Sequence, residues 1–191
     1  CLDGAEPVYT FGPIIHNPQI VASFEQKGVR VVHTPEEISG GTVVIRAHGI
    51  GEAEHTEILA RASRVVDATC PLVQRVHAIV RAQSKKGAQV VIVGEREHPE
   101  VKGIVSYARR GQVHVVADPE EARKIPAAER IGMVAQTTQS YENLQRIAAI
   151  CLDKCAELRV FKTICDATAV RQNEAREIET SSHWRRIESR L

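Results

Sequence analysis

Residues 64–77 read R-V-V-D-A-T-C-P-L-V-Q-R-V-H, and this stretch changes from a strand-like to a helix-like pattern within a few residues. Arg64–Ala68 is rich in valine, as strands are, and Pro71 suits the first position of a helix. Cys70 stands at the junction of the two elements. A thiol at such a junction is compatible with a buried structural residue, a nucleophile or a metal ligand.

The same alternation of strand-like and helix-like patterns recurs along the chain. Strands are predicted at Val8–Phe11, Val29–Val32, Thr42–Ala47, Arg64–Ala68, Gln89–Val93, Val113–Ala117, Gly132–Gln136 and Arg159–Lys162. Helices are predicted at Pro18–Lys27, Glu54–Ala62, Pro71–Lys86, Pro99–Ala108, Pro119–Lys124, Tyr141–Leu158 and Ala169–Thr180. This alternation predicts an α/β fold of repeated units with mainly parallel sheets, and continuous apolar runs such as Val90–Val93 indicate buried parallel strands.

The composition is typical of a globular protein that carries no strong electric field. Of the 191 residues, 43% are hydrophobic and 26% are charged, and the formal net charge is +1. We therefore expect neither nucleic acid nor an acidic membrane as a partner. No apolar run approaches the roughly 20 residues that span a bilayer, and no signal peptide is visible, so a cytoplasmic location is expected. The odd number of cysteines, five, argues against a disulfide framework.

Reactive side chains follow several of the predicted strands, where ligands bind in open α/β sheets. They are His16, His48, Cys70, His98 with Glu100, Thr137 with Thr138 and Ser140, and Cys165. Histidines at such places bind phosphate, move protons or ligate metals, although each is also compatible with an ordinary loop residue. The hydroxyls and backbone amides of residues 137–140 precede a predicted helix, which suits an anion such as phosphate or simple capping by Ser140.

The cysteines fall into two groups. Cys70 and Cys165 each stand at a strand-to-helix junction, and a helix N-terminus favours the thiolate form that ligates metals. These two thiols are compatible with a shared metal site and equally with two buried structural residues. Cys151 and Cys155 lie at helical spacing inside the predicted helix Tyr141–Leu158, so both are expected on its core face.

His98 and Glu100 flank Pro99, the predicted first residue of a helix. A carboxylic acid beside a bound anion can act as a general acid, whereas a glutamate in the first turn also stabilises the helix dipole. His77 lies about two helical turns after Cys70, and we expect it to pack against neighbouring elements rather than to serve a site.

Six motifs resemble, in the same order, those of the 4-hydroxy-3-methylbut-2-enyl diphosphate reductase family. They are H-N-P-Q-I-V (16–21), R-A-H-G (46–49), D-A-T-C-P-L-V-Q-R-V-H (67–77), H-P-E-V-K-G (98–103), A-Q-T-T-Q-S (135–140) and T-I-C-D-A-T-A-V-R-Q (163–172). D-A-T-C-P-L-V and H-P-E-V are the most specific, and the resemblance extends from about Val8 to Ala175.

The resemblance implies three α/β units in a pseudo-threefold arrangement around a [4Fe-4S] cluster, with one cysteine from each unit. It implies Cys70 and Cys165 as two cluster ligands, Glu100 as the proton donor and Thr137 as its partner beside the substrate hydroxyl. The residues implied or expected to bind the allylic diphosphate substrate are His16, His48, His98, Thr137 and Thr138. The implied reaction is a two-electron reductive dehydroxylation to isopentenyl or dimethylallyl diphosphate, the last step of the non-mevalonate isoprenoid route, with ferredoxin or flavodoxin as electron donor.

The chain also departs from the family pattern. The segment G-F-C-x-G-V that carries the family's first cysteine is absent, and Cys1 lies too close to His16 to take that role. Ser181–His183 comes too early and lacks the asparagine of the family's serine motif. We therefore expect a chain that lacks both ends of the family, with units at 1–70 and 71–163 and a largely missing third unit at 164–191.

Two other functions are compatible with the residues. One is a zinc-dependent hydrolase of a phosphorylated small molecule, although the close H-x-x-H or C-x-x-C spacing of many zinc sites is missing. The other is a non-catalytic remnant that binds diphosphates.

Overall fold

The computed structural model describes residues 6–15, 17–108, 113–167, 170 and 174 of the chain. The strands in this part are β1 Val8–Phe11, β2 Val29–Val32, β3 Thr42–Ile45, β4 Arg64–Asp67, β5 Gln89–Val93, β6 Val113–Val116, β7 Ala128–Ala135 and β8 Cys155–Val160. The helices are α1 Pro18–Gln26, α2 Glu52–Arg61, α3 Pro71–Lys85, α4 Pro99–Ser106, α5 Pro119–Arg123 and α6 Tyr141–Leu152. A 3-10 turn, Pro35–Glu37, lies between β2 and β3.

The described strands form two four-stranded sheets with the same topology. The first sheet has the order β2-β1-β3-β4 and the second the order β6-β5-β7-β8, and all neighbouring strands are parallel. The predicted α/β class with repeated parallel sheets is therefore confirmed. Within each sheet the chain changes direction between the two central strands, which places a binding crevice at their carboxyl ends. The expected third unit begins at residue 164, and most of it lies outside the described residues.

Helices cover both faces of the second sheet. Central strand β5 is buried along its whole length, as its apolar run predicted. Its residues alternate between two core clusters, because Val90 and Ile92 pack with Ile104 of α4, whereas Val91 and Val93 pack with Ile147 of α6. No described helix is both long and apolar enough to cross a membrane.

The predicted helix Tyr141–Leu158 is wrong beyond Leu152. Helix α6 ends there, and the chain turns into strand β8, which pairs in parallel with β7. The amino group of Lys154 fixes this turn by donating to the carbonyls of Arg123 at 2.8 Å and Ile125 at 2.7 Å. These partners are distant in sequence, so they override the local helical spacing.

The turn after α6 also changes the predicted environment of Cys155 and the predicted start of β7. Cys151 is buried on α6, as predicted, whereas Cys155 is half-buried on β8 rather than on a helix. Strand β7 begins at Ala128, four residues before the predicted Gly132, because it pairs with β8 along most of its length. The predicted helix Ala169–Thr180 lies almost wholly outside the described residues.

Gly41 precedes β3 with a positive φ of 72°, and a Cβ atom there would lie 2.2 Å from the carbonyl oxygen of Pro7. We expect Gly41→Ala to lower the free energy of unfolding by about 3 kcal/mol or more, because left-handed strain and a backbone clash act together. Urea titration measures the change. Gly87→Ala is the matched control, with φ of 74° and nothing within 4 Å. It should cost only about 1–2 kcal/mol, so equal losses would argue against the clash.

Candidate active site at the carboxyl ends of the strands

The predicted site residues follow strands of both sheets. His48 follows β3, Cys70 follows β4, His98 and Glu100 follow β5, Thr137 and Thr138 follow β7, and Cys165 follows β8. The carboxyl ends of parallel strands lie at one edge of a sheet, so the fold gathers each unit's residues there. His16 lies outside the described residues.

Glu100 and Thr137 are joined by two hydrogen bonds. The backbone N–H of Thr137 donates to Oε1 of Glu100 at 2.7 Å, and the Thr137 hydroxyl donates to Oε2 at 2.8 Å. Glu100 is only 2% exposed and Thr137 only 9% exposed. A buried carboxyl group with both oxygens bonded is held in a single orientation. The structure thus joins two residues that are 37 positions apart.

His98 is the N-cap of α4, and its Nδ1 accepts a hydrogen bond from the backbone N–H of Glu100 at 3.2 Å. In the neutral imidazole, Nδ1 is then the acceptor and Nε2 carries the proton. The ring lies edge to face with His48, with 5.9 Å between centroids and 73° between planes. Two imidazoles from different sheets are therefore neighbours, an arrangement that suits binding of one anion.

Cys70 and Cys165 occupy equivalent places, because each follows the last strand of one of the two sheets. The backbone N–H of Cys70 donates to the carbonyl of Ala47 at 3.0 Å, and that of Cys165 donates to Thr137 at 2.8 Å. In both units the acceptor lies just beyond the neighbouring central strand. Neither cysteine is part of a disulfide, and both are only half-buried. The structure therefore does not support the alternative in which they are fully buried structural residues.

Gln136, which nothing in the sequence pattern singled out, lies beside the predicted site residues. Its Oε1 accepts from the backbone N–H of Glu95 at 3.0 Å, and its Nε2 donates to the hydroxyl of Thr138 at 2.9 Å. Gln136 thereby connects the loops that follow β5 and β7. The motif A-Q-T-T-Q-S contained this residue but gave no indication of its partners. Ser140 accepts from the backbone N–H of Asn143 at 3.2 Å, which confirms its predicted capping role.

Cys70 and Cys165 have the chemistry of iron–sulfur cluster ligands. Half-buried cysteines at strand ends are suitable cluster ligands, because such clusters are held by thiolates. A structural or catalytic zinc ion needs three or four side chains close together. Within the described part of the chain, no three His, Cys, Asp or Glu side chains form such a group. The described residues therefore complete no metal site by themselves.

His77 is buried, at 7% exposure, and its ring stacks on Tyr107 with 4.1 Å between centroids and 14° between planes. This agrees with the expected packing role. Burial, reinforced by the nearby Arg81, lowers the pKa of His77 from 6.5 to about 4, and Asp67 acts in the opposite direction. The charged and titratable groups of the cavity beside this ring are Glu52, His55, Asp67, Arg81 and Tyr107.

This lowered pKa predicts that the protein loses stability as the pH falls from about 6.5 to about 4. In that interval the unfolded chain binds a proton at His77 and the folded chain does not, so acid favours unfolding. The resulting decrease in the free energy of unfolding should be at most about 3 kcal/mol. Urea titrations across this range should show a weaker pH dependence in His77→Phe than in the wild type. An identical dependence in both proteins would refute the assignment to His77.

Comparison with known proteins finds relatives that match most of the chain. The profile of the family described as LytB protein matches residues 2–183. The 4-hydroxy-3-methylbut-2-enyl diphosphate reductase of Syntrophotalea carbinolica is 52% identical over 173 residues, which are 91% of this chain and 62% of that protein. The protein of the same name from Geobacter sulfurreducens is 52% identical over 168 residues, 88% of this chain and 59% of that protein. The chain thus spans about three fifths of the length of these curated relatives.

Two solved structures have a similar fold. One is described as (E)-4-hydroxy-3-methyl-but-2-enyl diphosphate reductase, the terminal enzyme of the non-mevalonate pathway. It matches with a TM-score of 0.76 and 40% identity, covering 91% of this chain and 62% of that chain. The other is the E-1-hydroxy-2-methyl-but-2-enyl-4-diphosphate reductase of Plasmodium falciparum, with a TM-score of 0.78 and 26% identity over 88% of this chain and 54% of that chain.

Proposed function

Because the chain belongs to the LytB protein family, we propose that it carries the activity after which its relatives are named, reduction of 4-hydroxy-3-methylbut-2-enyl diphosphate. The reaction takes two electrons and two protons, breaks the allylic C–O bond, forms a C–H bond and releases water. Its products are isopentenyl and dimethylallyl diphosphate. The observation that carries the proposal is the buried Glu100–Thr137 pair, which provides an acid beside a hydroxyl at the carboxyl ends of the strands.

The histidines and Thr138 bind the diphosphate in this proposal. The ring centroids of His48 and His98 are 5.9 Å apart, and the two residues follow strands of different sheets. Both rings can therefore donate to one group of phosphate oxygens. Thr138 adds a hydroxyl whose position is fixed by Gln136 at 2.9 Å. The family resemblance adds His16, which follows β1 in sequence.

Glu100 and Thr137 supply protons in this proposal. The hydroxide that leaves an allylic carbon is a poor leaving group, so it departs far more readily when it is protonated. In the structure the Thr137 hydroxyl donates to Oε2 of Glu100 at 2.8 Å. Once Oε2 carries a proton this bond reverses, so that the hydroxyl accepts from Oε2 and donates its own proton to the substrate oxygen. Burial of both residues excludes bulk water from this route, and the second oxygen of Glu100 stays bonded to the Thr137 backbone.

We further propose a [4Fe-4S] cluster held in part by Cys70 and Cys165. When bound, such a cluster supplies electrons one at a time and acts as a Lewis acid toward an oxygen. The matching hydrogen bonds of the Cys70 and Cys165 backbones support equivalent roles for the two thiols, one beyond the edge of each sheet. A one-electron carrier, ferredoxin or flavodoxin, is the proposed donor, and the cytoplasm is the proposed location. The proposed units are residues 1–70, 71–163 and a third that starts at 164.

Anaerobic reconstitution of the purified protein with iron and sulfide tests this function. We expect broad visible absorption that dithionite bleaches, together with an EPR signal of the reduced cluster. A colourless protein that binds zinc instead would favour the hydrolase. Calorimetric binding of inorganic diphosphate without any uptake of iron would favour the non-catalytic remnant.

A further inference from the structure

His77 lies where three elements that carry site residues meet. It belongs to α3, whose N-cap is Cys70. It packs against the loop that contains His48. It also packs against α4, whose N-cap is His98 and whose first turn contains Glu100. The proposed function assigns no role to His77.

The contacts of the His77 ring are close on both sides. A Cβ atom built on Gly49, the neighbour of His48, would lie 3.0 Å from Cε1 of His77, and Gly49 has a positive φ of 70°. A Cβ atom built on Gly103 of α4 would lie 3.8 Å from Nε2 of the same ring. The ring therefore fills the space between two glycine backbones, which limits the approach of α3 to the loop and to α4.

Tyr107, the stacking partner of His77, also contacts residues of the first unit. Its hydroxyl donates to the carbonyl of Ile50 at 3.3 Å. Next to it, the hydroxyl of Ser106 accepts from the backbone N–H of Glu52 at 3.0 Å, and Arg81 forms an ion pair with Glu52 at 2.9 Å. These contacts join α3 and the end of α4 to the first unit. The His77 ring therefore lies at the junction between the first and second units.

The buried Nε2 side of the imidazole is held by packing. Among the described residues, Nε2 of His77 has no hydrogen-bond partner. The ring lines a cavity of about 290 Å³ together with Asp67, Thr69 and Gln74. An aromatic ring of similar size therefore should serve in its place.

We propose that His77 is a positioning residue, whose ring sets the distance between the Cys70 end of α3 and the residues at the start of α4. This proposal rests on the reductase function proposed above. It predicts that loss of the ring displaces the Cys70 thiol relative to the Glu100–Thr137 pair. Small displacements of reacting groups lower the rate of the chemical step strongly.

The test compares His77→Ala and His77→Phe in the reconstituted protein. His77→Ala should lower kcat per cluster by about tenfold to a hundredfold, with a much smaller change in KM, and His77→Phe should recover most of that loss. In the cluster-free protein, His77→Ala should also raise the rate at which iodoacetamide alkylates Cys70, measured by peptide mass spectrometry. Ile58→Ala is the control, since Ile58 is fully buried in α2 within the core of the first unit.

The outcomes separate positioning from general stability. Ile58→Ala should lower the urea midpoint as much as His77→Ala does, while its kcat and the alkylation of Cys70 stay at wild-type values. If His77→Ala lowers only the midpoint, or if His77→Phe loses as much kcat as His77→Ala, the proposal is overturned. If the wild type shows no turnover, the proposed function fails, whereas the alkylation rates still decide the role of His77.

Discussion

Glu100→Gln lowers kcat by about a hundredfold to ten-thousandfold, the usual range for loss of a general acid, and leaves KM nearly unchanged. Glutamine has the size of glutamate, and its carbonyl can still accept from Thr137, so the loop geometry survives. What the variant lacks is an acidic proton beside the Thr137 hydroxyl, 2.8 Å away in the wild type. Anaerobic steady-state kinetics with a chemically reduced donor measures both constants.

Glu97→Gln is the matched control for this experiment. Glu97 lies in the loop just before α4, its side chain is 82% exposed, and it pairs with Lys102 at 2.7 Å. It should retain the wild-type kcat. Thr137→Val removes the hydroxyl and should reduce kcat in the same range. The double variant should be little worse than either single variant, because the two residues act as one unit. Near-normal kcat in Glu100→Gln would refute the proton route.

Cys70→Ser and Cys165→Ser each abolish most cluster binding after anaerobic reconstitution. Thiolates hold iron–sulfur clusters, and a serine hydroxyl is a far poorer ligand for this iron. The expected result is loss of most bound iron and acid-labile sulfide, with turnover lost in proportion. Metal analysis and visible absorption measure the cluster, and circular dichroism verifies that each variant is folded.

Cys155→Ser is the matched control for the cysteine variants. Cys155 is also a free, half-buried thiol, and burial raises its pKa, which disfavours the thiolate that binds iron. Its thiol donates to the carbonyl of Cys151 at 3.2 Å, which serine can also do. The variant should bind as much iron as the wild type. Unchanged iron content in Cys70→Ser and Cys165→Ser would overturn the ligand assignment.

The strands were the part of the fold most accessible from sequence. The predicted bounds of Val8–Phe11, Val29–Val32 and Gln89–Val93 coincide with the observed strands. Parallel strands buried on both faces read as short apolar runs, and glycine or proline bounds them clearly. The alternation of these runs with amphipathic stretches was then sufficient for the α/β class.

The end of α6 could not be predicted from local pattern. The helical spacing that begins at Leu144 continues to Cys155, although the helix ends at Leu152. Strand β8 exists because its backbone pairs with β7 and because Lys154 bonds to carbonyls about thirty residues earlier. Such contacts leave no trace in a window of a few residues.

The sequence placed candidate site residues at strand ends but left their partners open. Strand-end position alone identified Cys70, His98 and Glu100, whereas the assignment of Thr137 as the partner of Glu100 came only from the family resemblance. The contact itself depends on how β5 and β7 lie side by side, as does the bridge that Gln136 forms between their loops. A side chain whose function depends on two distant loops is hard to recognise from its own motif.

Product analysis in heavy water tests the proposed reductive dehydroxylation most directly. The reconstituted protein is incubated anaerobically with 4-hydroxy-3-methylbut-2-enyl diphosphate and reduced methyl viologen. The two isomeric products are separated by chromatography, and the deuterium in each is measured by mass spectrometry. If the proposed reaction takes place, isopentenyl and dimethylallyl diphosphate each carry one solvent deuterium on carbon. Glu100→Gln should give little of either product. A cluster-loaded protein that leaves the substrate intact, or that releases inorganic diphosphate without reducing it, would contradict the proposed reaction.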